Sequence, residues 1–389
     1  MQLTAEICDR IAAAVSRQRL VETASALCAI YSPTGRAGEV SDRLAEILAA
    51  DGFTVKRPHG GHPAAPAVAV RYAAPQPGRT LQFDGHLDTV HLPFVPPTVE
   101  ADRITGSGAA DMKAPLAAAV EALRALRDGG LLPAGSILLT AHDLHEAPWG
   151  DGSQLERLIE AGYVGDGVLI PEYLRDVLAI AGRGQAVWKL RIARPGAPVH
   201  EVYRPDEPSV ISAAARWIAR LDAFSTELAS RVDERVGAES VFIGQVHAGE
   251  IYNQFPQECR LEGTRRWLPS ARAQAVEAEL RELAAEVARQ SGAALELSFQ
   301  KVRDAYWLDL NDPLVAAFQA AYGIDGEPPL PQGSKPFVDD GNTFWSQAQV
   351  AAITHGPRGG GAHTLSEWVS IDELVRVARV FAATAVAYC

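Results

Sequence analysis

The stretch Arg79-Thr80-Leu81-Gln82-Phe83-Asp84-Gly85-His86-Leu87-Asp88-Thr89-Val90 opens as a short apolar run and closes on a histidine and an acid. Arg79 to Phe83 has the length and texture of a strand. His86 and Asp88 therefore stand at its carboxyl end, where open α/β sheets hold their ligands. In an extended His-x-Asp segment the two side chains share a face. The imidazole can then ligate a metal while the acid fixes its tautomer or a neighbouring base.

Outward from this strand, elements of two kinds alternate. Ala67 to Tyr72, Ser136 to Ala141 and Gly167 to Ile170 read as further strands, with Ala74 to Gly78 as a turn rich in Pro and Gly. Gly38 to Ala50, Ala114 to Asp128 and Ser153 to Ala161 read as helices, and Leu3 to Tyr31 has helical spacing throughout. Such alternation predicts an α/β fold: a mixed, largely parallel sheet covered by helices on both faces. At Gly182 the texture changes. Gln185 to Ala193 alternates like an exposed edge strand, Pro208 to Ala223 and Ala271 to Gln290 are amphipathic helices, and Ser240 to His247 and Gln257 to Trp267 are strands. This predicts an inserted α+β domain over 183–300 between two parts of a catalytic domain, 1–182 and 301–389. Asp312 to Tyr322 and Ile371 to Tyr388 read as closing helices around a strand end at Ile353 to Gly356.

Bulk properties bound the function. A chain of 389 residues exceeds one ordinary core. A formal net charge of -12, with no run of Lys or Arg, argues against a nucleic-acid partner. Met1 to Asp9 has no basic stretch leading into an apolar core, and the Ala-rich segment from Ala114 carries Glu121 and Arg124. The expectation is a cytoplasmic protein with no membrane partner. Cys8, Cys28, Cys259 and Cys389 are far apart and form no CxxC pair, which argues against disulfides and a thiolate zinc site.

Four more segments carry chemistry. Gly106-Ser107-Gly108-Ala109-Ala110-Asp111-Met112-Lys113 lacks either nucleotide fingerprint, and its small residues let the backbone crowd an ion beside Asp111, or leave Asp111 as a helix cap. His142-Asp143-Leu144-His145-Glu146 follows a strand and packs two histidines and two acids into five residues. Glu172 lies just past another strand, and the loop Gly356 to Glu367 delivers His363. Mixed imidazole and carboxylate donors of this kind suit Zn first, with Mn or Co as alternatives.

Taken in order, GHLDTV, GSGAADMK and AHTLSEWV resemble the M20 family of metallopeptidases and amidohydrolases over essentially the whole chain. The resemblance implies metal-dependent cleavage of an amide bond in a small N-acyl amino acid, dipeptide or related carboxylate, with one or two ions per subunit. It implies that His86 and Glu172 hold one metal, Asp111 bridges two, and His363 holds the second, with Asp88 behind His86. It also implies a lid that makes a homodimer. In that lid Arg183-Gly184 opens the domain, His200 reaches a substrate carbonyl, and Asn253 and Arg266 grip a substrate carboxylate.

One motif departs from the family. Its Asp-Glu-Glu, general base then ligand, is here His142-Asp143-Leu144-His145-Glu146. One register makes His145 the base and Glu146 a ligand. Another makes Glu146 the base, and Asp143 is a third candidate. The change leaves room for other C–N bonds, such as that of an aromatic amine, or for a degenerate member that only binds a ligand. Trp149, Tyr173, Trp188, Tyr203, Trp267, Trp307 and Trp345 lie near these segments in sequence, as contacts for a bulky substrate or as core.

Overall fold

A computed structural model describes residues 3–148 and 150–389. The chain forms two compact units, Met1–Ile180 with Trp307–Ser334 and Asp339–Cys389, and Ala181–Tyr306 with Lys335–Val338.

The first unit is built on a six-stranded sheet in the order Val55–Lys56, Val68–Ala73, Ser136–His142, Thr80–His86, Gly167–Ile170, Ala352–Thr354. The first two pairings are antiparallel and the remaining three parallel. Ser136–His142 and Gly167–Ile170 are buried at every residue, the signature of strands covered on both faces. Lys113–Asp128 packs between Arg17–Cys28 and Ile371–Tyr388. Its run of alanines lets the neighbouring helices approach closely.

The N-terminal segment read as one helical stretch is two helices, Ala5–Ala14 and Arg17–Cys28. The break falls at Ser16, whose hydroxyl accepts from the Arg19 amide at 3.3 Å and whose own amide donates to Glu121 at 2.7 Å. A serine satisfying a first-turn amide starts a new helix without any Gly or Pro in the sequence.

The second unit carries a four-stranded antiparallel sheet in the order Ser240–Ala248, Glu258–Trp267, Gly184–Ala193, Ala294–Arg303. The expected edge strand is therefore interior: Leu190 pairs with Leu261 on one side and Leu297 on the other. Its alternation has another cause. The helices Val210–Leu228 and Ala273–Ser291 bury one face of the sheet, with Trp188, Trp217, Leu221, Leu261 and Leu280 in a shared core. Arg265 is buried and bonds Glu239 and Glu279. Among the described residues, no helix is long and apolar enough to cross a membrane.

Candidate metal centre

Parallel strands ending side by side bring the chemistry together. His86 and His142 are paired residues at the carboxyl ends of adjacent strands. The next strand, Gly167–Ile170, leads through Pro171 to Glu172, and the strand Ala352–Thr354 leads into the loop bearing His363. His86 Nε2 lies 3.1 Å from Asp111 Oδ1 and 3.4 Å from Glu172 Oε1. His363 Nε2 lies 3.2 Å from both Asp111 Oδ2 and Glu146 Oε1. The two oxygens of Asp111 thus face different imidazoles. His145 stacks on His86 with ring centroids 4.0 Å apart, its Nε2 3.8 Å from Glu172 Oε1. His86, Asp111 and Glu146 offer donor atoms within 4.8 Å of one another, and so do His86, His145 and Glu172.

Local structure explains how these side chains are held. The carboxylate of Glu367 accepts from the amides of Gly108, Ala110 and Asp111 at 3.0, 2.8 and 2.8 Å, fixing the turn that presents Asp111. Gly108 has φ +82°, a backbone conformation that glycine adopts without strain. At Gly356 a Cβ would meet the Glu172 carbonyl oxygen at 2.1 Å, because the two strand ends touch backbone to backbone. Leu144 and His363 adopt φ of 65° and 61°, left-handed conformations costly for non-glycine residues. Both belong to the loops that deliver site residues.

Asp88 lies behind His86 and also holds the loop that follows the next strand. Its carboxylate stays 3.6 Å from the His86 ring, whose Nδ1 donates instead to the Asp88 carbonyl at 3.0 Å. The carboxylate accepts from the amides of His145 and Glu146 at 3.1 and 2.8 Å. Asp143 is no part of the cluster. It accepts from the amides of Gly35, Ala37 and Leu144 and contacts the His62 ring at 3.2 Å, so its oxygens are taken up in holding loops. Two candidates remain in that segment, His145 and Glu146.

The electrostatics call for a cation. Asp88, Asp111, Glu146 and Glu172 are all buried. Burial first and the Asp111 charge second push the Glu172 carboxyl up to about 7, and the same two causes raise Glu146. Burial alone would raise Asp111 too, but its bonds with His363 and His86 hold it below the usual range. Those with Asp111 and Glu146 push His363 up to about 10. Glu172 Oε2 is buried with no hydrogen-bond partner. An orphaned buried carboxylate oxygen among crowded acids and imidazoles fits a divalent ion.

A second layer escaped the sequence reading. His145 Nδ1 lies 2.9 Å from Asp340 Oδ1; Asp340 also contacts His142 Nε2 at 3.3 Å, and His142 Nε2 reaches Asp84 at 3.4 Å. Asp84, His142 and Asp340 form a further cluster with donor atoms within 4.8 Å of one another. The only sequence signal for Asp340 is the Asp339-Asp340 pair before Gly341, where Asp339 caps a short helix.

His200, Asn253 and Arg266 belong to the second unit. The exposed His200 ring has Nε2 3.1 Å from Asn253 Nδ2. Arg266 is half-buried, and burial first, then the neighbouring Arg183, depresses its guanidinium pKa. Of the aromatics, Trp188 and Trp267 are core, Tyr203 is exposed, Tyr173 stands partly buried next to Glu172, and Trp149 lies outside the described residues.

The pattern of the peptidase family M20/M25/M40 matches residues 83–387. The chain belongs to this family. This M20 member is a hydrolase, since a peptidase hydrolyses amide bonds. It is 29% identical over 380 residues to a succinyl-diaminopimelate desuccinylase of Alkalilimnicola ehrlichii, covering 93% of this chain and 96% of that one. Its fold is similar to that of an aminopeptidase, PepT, of Bacillus cereus, with TM-score 0.79 and 21% identity over 96% and 99% of the two chains. It is also similar to a dinuclear metal-binding M20 peptidase of Bacillus subtilis, with TM-score 0.68 and 16% identity over 95% and 97%.

Proposed function

We propose that this M20 hydrolase uses one or two divalent ions, zinc ahead of manganese or cobalt, to cleave the amide bond of a small N-acyl amino acid, dipeptide or related carboxylate. The observation that carries the reading is Asp111, whose oxygens face His86 and His363 separately, each imidazole having a further acid beside it. In this reading His86, Asp111 and Glu172 hold one ion, and Asp111, Glu146 and His363 the other. Such an ion supplies Lewis acidity and lowers the pKa of water at the site towards ~7.

With Glu146 a ligand, His145 is the proton acceptor. Its Nδ1 is bonded to Asp340 and its Nε2 faces the cluster. Its Nε2 lone pair takes a proton from the attacking water and returns it to the departing nitrogen of the substrate. Among carboxylate-bearing substrates, the desuccinylase relatives favour an acylated amino acid. The half-buried guanidinium of Arg266 supplies the planar fork such a carboxylate needs, and His200 and Asn253 supply polar contacts.

We also read the protein as a cytoplasmic homodimer formed through the second unit. Ser240–Ala248 is an edge strand with Phe242 64% and Val246 48% exposed, and all four cysteines are free. Light scattering on the eluting protein tests the dimer.

The activity test is metal analysis with a panel of N-acyl amino acids and dipeptides, run with and without chelator. Amide hydrolysis lost on chelation and restored by zinc is expected. Turnover confined to aromatic amines would move the reaction to the aminohydrolases. Bound metal without turnover of either panel would leave a ligand-binding protein.

A further inference from the structure

We propose that Asp340 is a positioning residue that fixes the ring orientation and tautomer of His145, in place of the glutamate base usual in the family. The inference rests on the reading of His145 as proton acceptor and adds how that imidazole is prepared.

The geometry is specific. Both oxygens of Asp340 approach His145 Nδ1, at 2.9 and 3.0 Å, so the ring proton sits on Nδ1. A neutral imidazole with its proton there presents a lone pair at Nε2, and Nε2 is the nitrogen turned towards Glu172. One ring face stacks on His86 with an interplanar angle of 11°, which restricts rotation about the second side-chain torsion. Asp88 holds the backbone amide of the same residue at 3.1 Å. The imidazole is thus fixed at main chain, ring face and Nδ1.

Asp340 is itself held from behind. Its Oδ2 lies 3.3 Å from His142 Nε2, His142 lies 3.4 Å from Asp84, and the Thr140 hydroxyl donates to Asp84 while accepting from Gln82 Nε2 at 2.7 Å. Every member of this chain is buried, and Asp84 with Thr140 and His86 with His142 are register partners on adjacent parallel strands. The arrangement accounts for two features the ligand set leaves unexplained: a second histidine in the His142 to Glu146 segment, and a fully buried aspartate on the short helix Asp340–Thr343. A buried carboxylate behind an imidazole selects its tautomer and fixes the ring's orientation. A glutamate base needs no such support, and a histidine base does.

The test uses the full-length protein labelled with nitrogen-15 at histidine, with His145→Gln identifying the His145 signals among those of ten histidines. Two-bond nitrogen–proton correlation spectra of metal-free and zinc-loaded protein report which ring nitrogen carries the proton. The proton is expected on Nδ1 in the wild type. Asp340→Asn, whose amide can donate to Nδ1, is expected to shift it to Nε2. The same variant should keep its metal content and KM while kcat falls about 10²- to 10⁴-fold, the usual worth of an oriented general base. Asp340→Glu should recover part of that loss. A wild-type proton on Nε2 overturns the proposal whether or not any variant folds. So does an Asp340→Asn protein with an unchanged tautomer, or, where His145→Gln abolishes turnover, one with a changed tautomer and undiminished kcat. If the tautomer behaves as expected but His145→Gln keeps full rate, the positioning by Asp340 stands and the base assignment of His145 falls.

Discussion

Asp111 faces two imidazoles, and its neighbours divide accordingly, so single substitutions should remove ions selectively. Asp111→Ala is expected to abolish metal binding. His86→Ala and Glu172→Ala should each lose the ion on one side, and Glu146→Ala and His363→Ala the ion on the other, as counted by mass spectrometry of dialysed protein. Equal loss in all five would contradict the division. A different titration is expected at His355. Its ring is buried against Phe318 and Tyr322, with Nε2 3.1 Å from Arg376 Nη2, and burial first, then Arg376 and Arg175, hold its pKa well below the ordinary value. The unfolded chain therefore takes a proton near pH ~6.5 that the folded protein refuses, and stability is lost as the pH falls below that value. His355→Gln keeps an acceptor for Arg376 and should flatten Tm against pH between about 6.5 and 5. An unaltered slope would show that other groups dominate. At this scale the candidate ligands were legible, because most stand at or just past a strand end or a glycine-rich turn. Asp340 was not, since it meets His145 across 195 residues. Asp143 read like its neighbours, and only the surrounding amides show that it serves the loops.

Among elements, the strand Gly184–Ala193 shows what hydrophobic patterning does and does not encode. Alternation reports that one face is covered, here by two helices, and is silent on whether the ladder is paired on both sides. Strand Ala294–Arg303, which closes that ladder, alternates just as strongly in burial and went unread beside the charged helix before it. The strands of the first unit were easier, being short apolar runs followed at once by polar chemistry. Within the second unit, the buried Arg265 on strand Glu258–Trp267 ties Glu239 and Glu279 to the sheet. Arg265→Met leaves the buried Glu239 with only Arg231, 3.4 Å away, and a loss of about 3 kcal/mol in chemical denaturation is expected. A cost below about 1 kcal/mol would mean that Glu239 finds solvent.

For the whole molecule, the donors assigned to the ions all come from the first unit, in segments separated by long stretches of chain. An ion that binds only the folded arrangement stabilises it by mass action, about 2.7 kcal/mol at a free concentration 100-fold above Kd. Chelator should therefore lower Tm, and zinc should restore it in a concentration-dependent way. A Tm indifferent to both would count against a resident ion. The broad α/β character and the change of texture near Gly182 were readable from the alternation of elements. That Lys335–Val338 groups with the second unit was not, because four residues carry no periodicity.

Asp88 gives the neighbouring pair at 145 and 146 an unusual freedom. One carboxylate grips both backbone amides, so the main chain stays anchored whatever side chains the two positions carry. The two residues behave like prongs of a fork whose handle is clamped. In the proposed reading the prong at 146 holds the ion while the one at 145 is open to exchange, and His145→Glu should load metal normally while altering which leaving groups are accepted. A protein built this way can change its chemistry at one position and keep its grip on the ion at the next.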